Sequence, residues 1–361
     1  MFQRSGVVAA LMAAFVLTAC GGGGPSVSAV KVVGDSLADS GTFGFKFTVQ
    51  GNPIWTDLVA DALGAPALCA RYAGSSPENV ALNPAKTDCT SYAVGGARIN
   101  PAGGAAADNS PLSVIQQIRT LAAEQPVRPG ELLLVDGGGN DVADLFGAYS
   151  RGPVVFKGLL SELLSPQEAE TLHTNAPVAG SLYMSRLADR LVNALEQQVL
   201  QRGARRVAVV NVPDVTVTPR FLRILDGVSM AQGPQAAAGL KELAGAWVKA
   251  FNDRLAARLA KAPQVTIVDF NGLLNQWVSQ PAAFGLTNVT DPVCPNLTPT
   301  GPEPTYFLGA CTEGLLNKKF AGDGWKTYVF SDNFHGTPKT NELVADAVLE
   351  ALMAKAAKAL R

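Results

Sequence analysis

Two histidines, His173 and His335, are all that this chain of 361 residues contains. Chemistry that needs an imidazole base near neutral pH therefore has little choice of residue. His335 sits in SDNFHGTP, residues 331–338, with Asp332 three positions ahead of it. That separation lets both side chains face the same way across one turn, and a carboxylate beside an imidazole fixes the ring's tautomer and orientation for proton transfer. His173 lies in TLHT, a polar connecting stretch with no comparable acid, and reads as a solvated surface histidine. The partner of such a base is a nucleophilic side chain. Ser36 in KVVGDSLADSG, residues 31–41, follows an apolar run and precedes further turn-forming residues. In isolation it reads first as a helix-capping hydroxyl, with a nucleophile at the end of a strand as the alternative.

Attack by a serine on a carbonyl builds negative charge on its oxygen, which calls for donors aimed at that oxygen. Gly96, in SYAVGGAR (residues 91–98), presents a backbone N–H with no side chain in the way. Asn140, in GGGND (residues 137–141), presents a side-chain amide, and Gly138 and Gly139 let the chain turn there. Each segment alone reads equally well as an ordinary turn or cap. Other chemistries find no motif: there is no GxSxG elbow and no HExxH. Cys69, Cys89, Cys294 and Cys311 lack the CxxC spacing of zinc or redox sites. No metal and no organic cofactor is expected.

Taken together, GDS, then GG, then GGND after a strand, then DxxH before the final helix occur in one order. In that order the chain resembles the GDSL, or SGNH, hydrolase family of serine esterases and lipases, with matching blocks from about Lys31 to Pro338. The resemblance implies Ser36 as nucleophile, His335 as base and Asp332 as its orienting acid, with Gly96, Asn140 and the N–H of Ser36 as oxyanion donors. It implies an α/β fold, a three-layer α/β/α sandwich of flavodoxin-like type around a mainly parallel sheet. Two departures stand out. Ser91 occupies a place where the family often has Asn, which puts a supporting loop hydrogen bond in doubt, and Ala38 precedes Asp39 where Ser is common. An acyltransferase or a polysaccharide deacetylase would use the same residues. A surface-anchored binding module on an inactive hydrolase scaffold is the reading from another class.

The elements that must position these residues are legible as apolar β-branched runs alternating with amphipathic stretches. Strands are predicted at 29–33, 132–135, 206–210 and 265–270, and helices at about 53–63, 112–124, 179–202 and 235–262. In the third helix, Leu187, Leu191, Leu195 and Val199 fall four apart, and Gly203 is placed to end it. Alternating βαβα with fully apolar strands implies a parallel sheet covered on both faces. Ligands then bind beyond the strands' carboxyl ends, where GDS, GGGND and VPDVTVTP follow strand-like runs, with SYAVGGAR a weaker fourth.

At the N-terminus, residues 1–19 carry a basic start and an apolar run too short to span a membrane, so they read as a secretory leader. Cys20 follows small residues in the pattern of a lipoprotein cleavage site, and residues 20–28 form a Gly-rich tether. An exported, outer-membrane-anchored lipoprotein is the expectation, with residues 29–361 as one domain. The four remaining cysteines suggest disulfides, by proximity Cys69 with Cys89 and Cys294 with Cys311, though other pairings are open. Net charge is −1 with scattered Lys and Arg, so no nucleic-acid partner is expected, and a monomer is. Trp55, Tyr92, Phe307 and Leu308 read as core first and as acyl-pocket lining second. The stretch 281–329 reads as a lid or substrate-shaping loop braced by a disulfide.

Overall fold

A computed structural model describes residues 27–101, 107, 109–298 and 305–359. The leader and Cys20 lie outside the described residues. After β1 (Val30–Val33) come α1 (Trp55–Ala62), a small antiparallel pair β2 (Tyr72–Ala73) and β3 (Ala81–Leu82), and α2 (Val114–Glu124). Next are β4 (Leu132–Val135), α3 (Gly139–Ser150), α4 (Pro153–Leu160), α5 (Pro166–Leu172), α6 (Ala176–Leu195) and β5 (Val207–Val210). The last third holds α7 (Pro219–Gln232), α8 (Pro234–Leu259), β6 (Val265–Val268), α9 (Phe270–Ser279) and β7 (Asn288–Pro292). It closes with α10 (Glu313–Lys319), β8 (Tyr328–Phe330) and α11 (Pro338–Ala359).

The central sheet runs β1-β4-β5-β6, and every pairing is parallel. A fifth segment joins at the outer edge of β1: the Val32 N–H donates to the Thr90 carbonyl at 3.0 Å and the Tyr92 N–H to the Val32 carbonyl at 2.8 Å. With that segment counted, the strand order is that of a flavodoxin-like sheet. Alternation along the strands sorts the two faces. Val33, Leu133, Val135, Val207 and Val209 pack with α2, α3, α6 and α8. Val30, Val32, Leu134, Ala208 and Val210 pack with α1, α9 and α11. Both faces are thus covered, which is why these strands read as mainly apolar runs, broken only by Lys31 in β1 and Thr266 in β6.

The strand and helix bounds depart from the sequence reading where a side chain stops an element. Predicted strand 265–270 ends at Val268 because Asp269 turns outward and caps α9, accepting from the Gly272 N–H at 3.0 Å. The third predicted helix starts earlier, at Ala176, where Asn175 accepts from the Val178 N–H, and its last turn, Glu196–Leu200, loosens to a π-turn before Gly203. Helix α7 was not anticipated; Thr218 caps it at the Phe221 N–H. No helix among the described residues is long and apolar enough to cross a membrane.

Two disulfides form, Cys69–Cys89 and Cys294–Cys311. The first closes the segment carrying β2 and β3. The second lies in a separate apolar cluster with Val49, Val293, Leu308, Leu316 and Trp325. In the loop-entropy description a bridge of this span stabilises by about 3 kcal/mol. Replacing Cys69 and Cys89 together by Ser should lower unfolding free energy by roughly that amount in a denaturant titration; an unchanged midpoint would show that this loop is held by its packing alone.

Candidate active site

The strands β1 and β4 are neighbours, yet the chain leaves them in opposite directions, β1 toward α1 on one face and β4 toward α3 on the other. Such a divergence opens a crevice at the carboxyl end of the sheet. Ser36 follows β1 and Asn140 sits in the first turn of α3, so both fall on the rim of that crevice.

His335 arrives there from the opposite end of the chain, on the turn between β8 and α11. Its Nε2 lies 2.7 Å from Ser36 Oγ. Its Nδ1 lies 2.8 Å from Asp332 Oδ2 and 3.0 Å from Oδ1. Asp332 Oδ1 also accepts the N–H groups of Phe334 at 2.8 Å and His335 at 2.7 Å. Burial alone would raise the Asp332 carboxyl, but the imidazole and the two backbone N–H groups outweigh it and hold the group below its ordinary value. Burial likewise disfavours the charged imidazole, and the Asp332 carboxylate overcomes it, so His335 is shifted upward. A ring held in this way has Nδ1–H on Asp332 and leaves Nε2 to accept from the serine hydroxyl.

Across the cleft, Arg98 donates to the Gly96 carbonyl at 2.6 Å while forming a two-pronged ion pair with Asp144 on α3. Asn140 gives one amide hydrogen to the Ala97 carbonyl at 3.0 Å; an amide has two, and the second is free of that bond. Buried Asp141, pushed up to about 6 by desolvation, accepts from the N–H groups of Ile99 and Asn100. Asp39 ties the two loops together, taking Thr42 N–H at 2.7 Å on one oxygen and Gly95 N–H at 2.8 Å on the other. Ser91 makes no such contribution: its buried hydroxyl has no hydrogen-bond partner, as its place in the sequence suggested.

The resulting cleft has a volume of about 430 Å³ and holds Ser36, Gly96, Asn140 and His335 together. One wall is Phe43, Phe45 and Phe47. The Phe47 ring sits 4.8 Å from the imidazole, centroid to centroid. Gly95 permits that approach, since a Cβ there would come within 2.3 Å of Phe47 Cζ. The sequence signal for these three residues is an aromatic at every second position shortly after the GDS loop, a pattern absent from the expected site. Of the two readings of Trp55, Tyr92, Phe307 and Leu308, the first, core, holds for all but Phe307, and the second, acyl-pocket lining, does not hold. Tyr92 and Leu308 are core, Trp55 is buried against the other sheet face, and Phe307 is 54% exposed, touching the wall only through Phe45. Among the described residues, none of segment 281–329 lines the cleft; it packs behind the phenylalanine wall instead of covering the site. His173 ends α5, its Nδ1 2.7 Å from the Glu170 carbonyl, and takes no part in the cleft. Among the described residues no group of three or more His, Cys, Asp or Glu side chains could hold a metal ion.

Beneath Ser36 lies a second missed feature, the carboxyl of Asp136 at the end of β4. Asp35 N–H donates to Asp136 Oδ1 at 3.1 Å, and Asp35 Oδ1 accepts from the Leu37 N–H at 3.0 Å, bracing the serine's turn. Gly34 is required by this contact, because a Cβ there would fall 1.4 Å from Asp136 Oδ1. Burial, reinforced by the neighbouring Asp35 charge, holds Asp136 well above the carboxylate range. It therefore keeps a proton that the unfolded chain releases above its ordinary value of ~3.9, and stability falls as pH rises past that value. Asp136→Asn retains the acceptor and cannot ionise. The melting-temperature difference, variant minus wild type, should shift in the variant's favour as pH rises from about pH 4; a difference that does not change with pH would contradict a raised Asp136.

Residues 30–348 match the family of GDSL-like lipases and acylhydrolases. Among solved structures, the crystal structure of the lipase Lip_vut3 from a goat rumen metagenome is similar at 13% identity and a TM-score of 0.40, over 90% of this chain and 97% of that one. No curated protein matches the chain. A family match across nearly the whole described sheet, with its blocks meeting at one cleft, leads to a single placement: the chain belongs to the GDSL-like lipase/acylhydrolase family.

Proposed function

We propose that this protein hydrolyses carboxylic esters through an acyl-enzyme on Ser36. The observation that carries the reading is the unbroken hydrogen-bond chain from Ser36 Oγ through His335 to Asp332, inside a cleft that also holds Gly96 and Asn140. Ser36 Oγ attacks the ester carbonyl carbon while its proton passes to His335 Nε2. Charge collects on the carbonyl oxygen, where the N–H groups of Ser36 and Gly96 and the Asn140 amide serve as donors. The C–O bond to the alcohol breaks, and Nε2–H returns the proton to the departing oxygen. Water, deprotonated by the same nitrogen, then attacks the acyl-enzyme and releases the acid and free Ser36.

The protein is further proposed to be exported and lipid-anchored through Cys20. Support comes from the leader-like sequence at 1–19, and two formed disulfides suit an oxidising compartment.

His335 works as a base only when neutral, and its upward shift moves the acid limb of kcat/KM above the ordinary histidine value of ~6.5. Activity should rise with pH through that limb. Ser36→Ala and His335→Ala should each lower turnover of a short-chain ester by about 10³-fold or more, whereas His173→Ala should leave it intact. Full activity in the Ser36 variant, or a large loss in the His173 variant, would refute these assignments.

A further inference from the structure

Gly96 is the least constrained of the groups that face the serine. Its φ of +80° lies in the left-handed region, and it has no side chain to hold its peptide in one orientation. Among the described residues its N–H, like that of Ser36, donates to no acceptor, which leaves both to a ligand. Whatever aims the Gly96 N–H must therefore act through the peptides on either side of it. On one side, Asp39 Oδ2 accepts the Gly95 N–H at 2.8 Å. On the other, Arg98 Nη1 donates to the Gly96 carbonyl at 2.6 Å.

Arg98 is itself held. Its Nε and Nη2 donate to the two carboxylate oxygens of Asp144, so one planar guanidinium takes a carboxylate along one edge and a peptide carbonyl along another. A rigid fork of five donors allows this, whereas an ammonium is a single point. Asp144 lies one turn after Asn140 on α3, on the same helix face. Asn140 in turn donates to the Ala97 carbonyl at 3.0 Å. Three consecutive residues of the glycine loop, Gly96, Ala97 and Arg98, are thereby tied to the helix face that carries the Asn140 amide. The ion pair is about a third exposed at each end, at 31% and 35%, and so adds little to stability of its own accord.

Resting on the ester-hydrolase reading, we propose that Arg98 is a positioning residue for the reaction: it locks the glycine loop to α3, so that the Gly96 N–H and the Asn140 amide converge on one carbonyl oxygen. Arg98 does not line the cleft, so it acts through these two donors and not on the substrate. Its effect falls on the transition state, because negative charge reaches that oxygen only as the serine adds.

The test replaces Arg98 with Met, which keeps the bulk and removes every donor, and with Lys. Active serine is first counted by titrating each preparation to completion with a fluorophosphonate, and kcat and KM for p-nitrophenyl acetate are expressed per labelled Ser36. A trifluoromethyl ketone reports on the donors independently, since Ser36 Oγ adds to its carbonyl carbon, the proton passes to His335, and the same oxyanion results. Arg98→Met should lower kcat by about tenfold to 10²-fold, somewhat less than deleting a donor outright. KM should stay within about twofold, and ketone affinity should fall by the same factor as kcat/KM. Arg98→Lys should lie between, because one ammonium serves either Asp144 or the Gly96 carbonyl. Asp144→Asn keeps the guanidinium but loosens its grip, and should show a smaller loss of the same kind; it decides the matter if Arg98→Met does not fold. Constants per labelled serine and ketone affinity unchanged in the folded variants, with only the labelled fraction or melting temperature reduced, would mark a merely structural ion pair. That result would overturn the positioning role while leaving ester hydrolysis standing. A wild-type protein that is folded, unlabelled and inactive on the ester would overturn the two together.

Discussion

The contact between Asp332 and His335 is the interaction on which the geometry of the cleft depends. One carboxylate takes two backbone N–H groups from its own turn and the imidazole Nδ1 as well. The same charge therefore shapes the loop and aims the ring. Its surroundings exclude competing arrangements: Phe47 packs on the imidazole, and Ser331 Oγ and Thr48 Oγ1 hold the Gly336 carbonyl at 2.9 and 3.0 Å. A buried carboxylate without such donors would be costly, so the bonds that fold this turn also orient the imidazole.

The sheet solves a different problem, bringing Ser36 and Asn140 to one rim. Parallel strands place all their carboxyl ends on one side, so the loops after β1 and β4 meet without further device. Helix α11 completes the arrangement. Asn341, in its first turns, accepts from the Trp55 N–H at 3.0 Å, linking the histidine-bearing turn to the helix that follows the serine loop. Asp39 does the same for the serine and glycine loops. Interlocking of this kind keeps loop residues in place where strands have already ended.

Much of this was legible in the sequence because the signals were local. Short, mainly apolar runs bounded by turn residues suit doubly covered strands, and all four central strands appear within two residues of where those runs lie. Asp332 and His335 meet because they lie three positions apart. Ser36, Gly96 and Asn140 were singled out by residue type, and the structure brings them into the same cleft as His335. What escaped were features whose meaning is nonlocal. Asp136 looks like any residue before a glycine turn until Asp35 is found against it. Phe43, Phe45 and Phe47 lack a partner strand, so their alternation did not register as structure.

The most direct test of the account is capture of the covalent intermediate. A p-nitrophenyl ester mixed rapidly with the enzyme and quenched in acid should yield, by intact-mass and peptide mass spectrometry, one acyl group per chain on the peptide containing Ser36. Its formation should match the burst of p-nitrophenol, and Asp332→Asn should slow both. An acyl group found on another residue, or rapid turnover with no acyl-enzyme at any quench time and none trapped by an added alcohol, would contradict it.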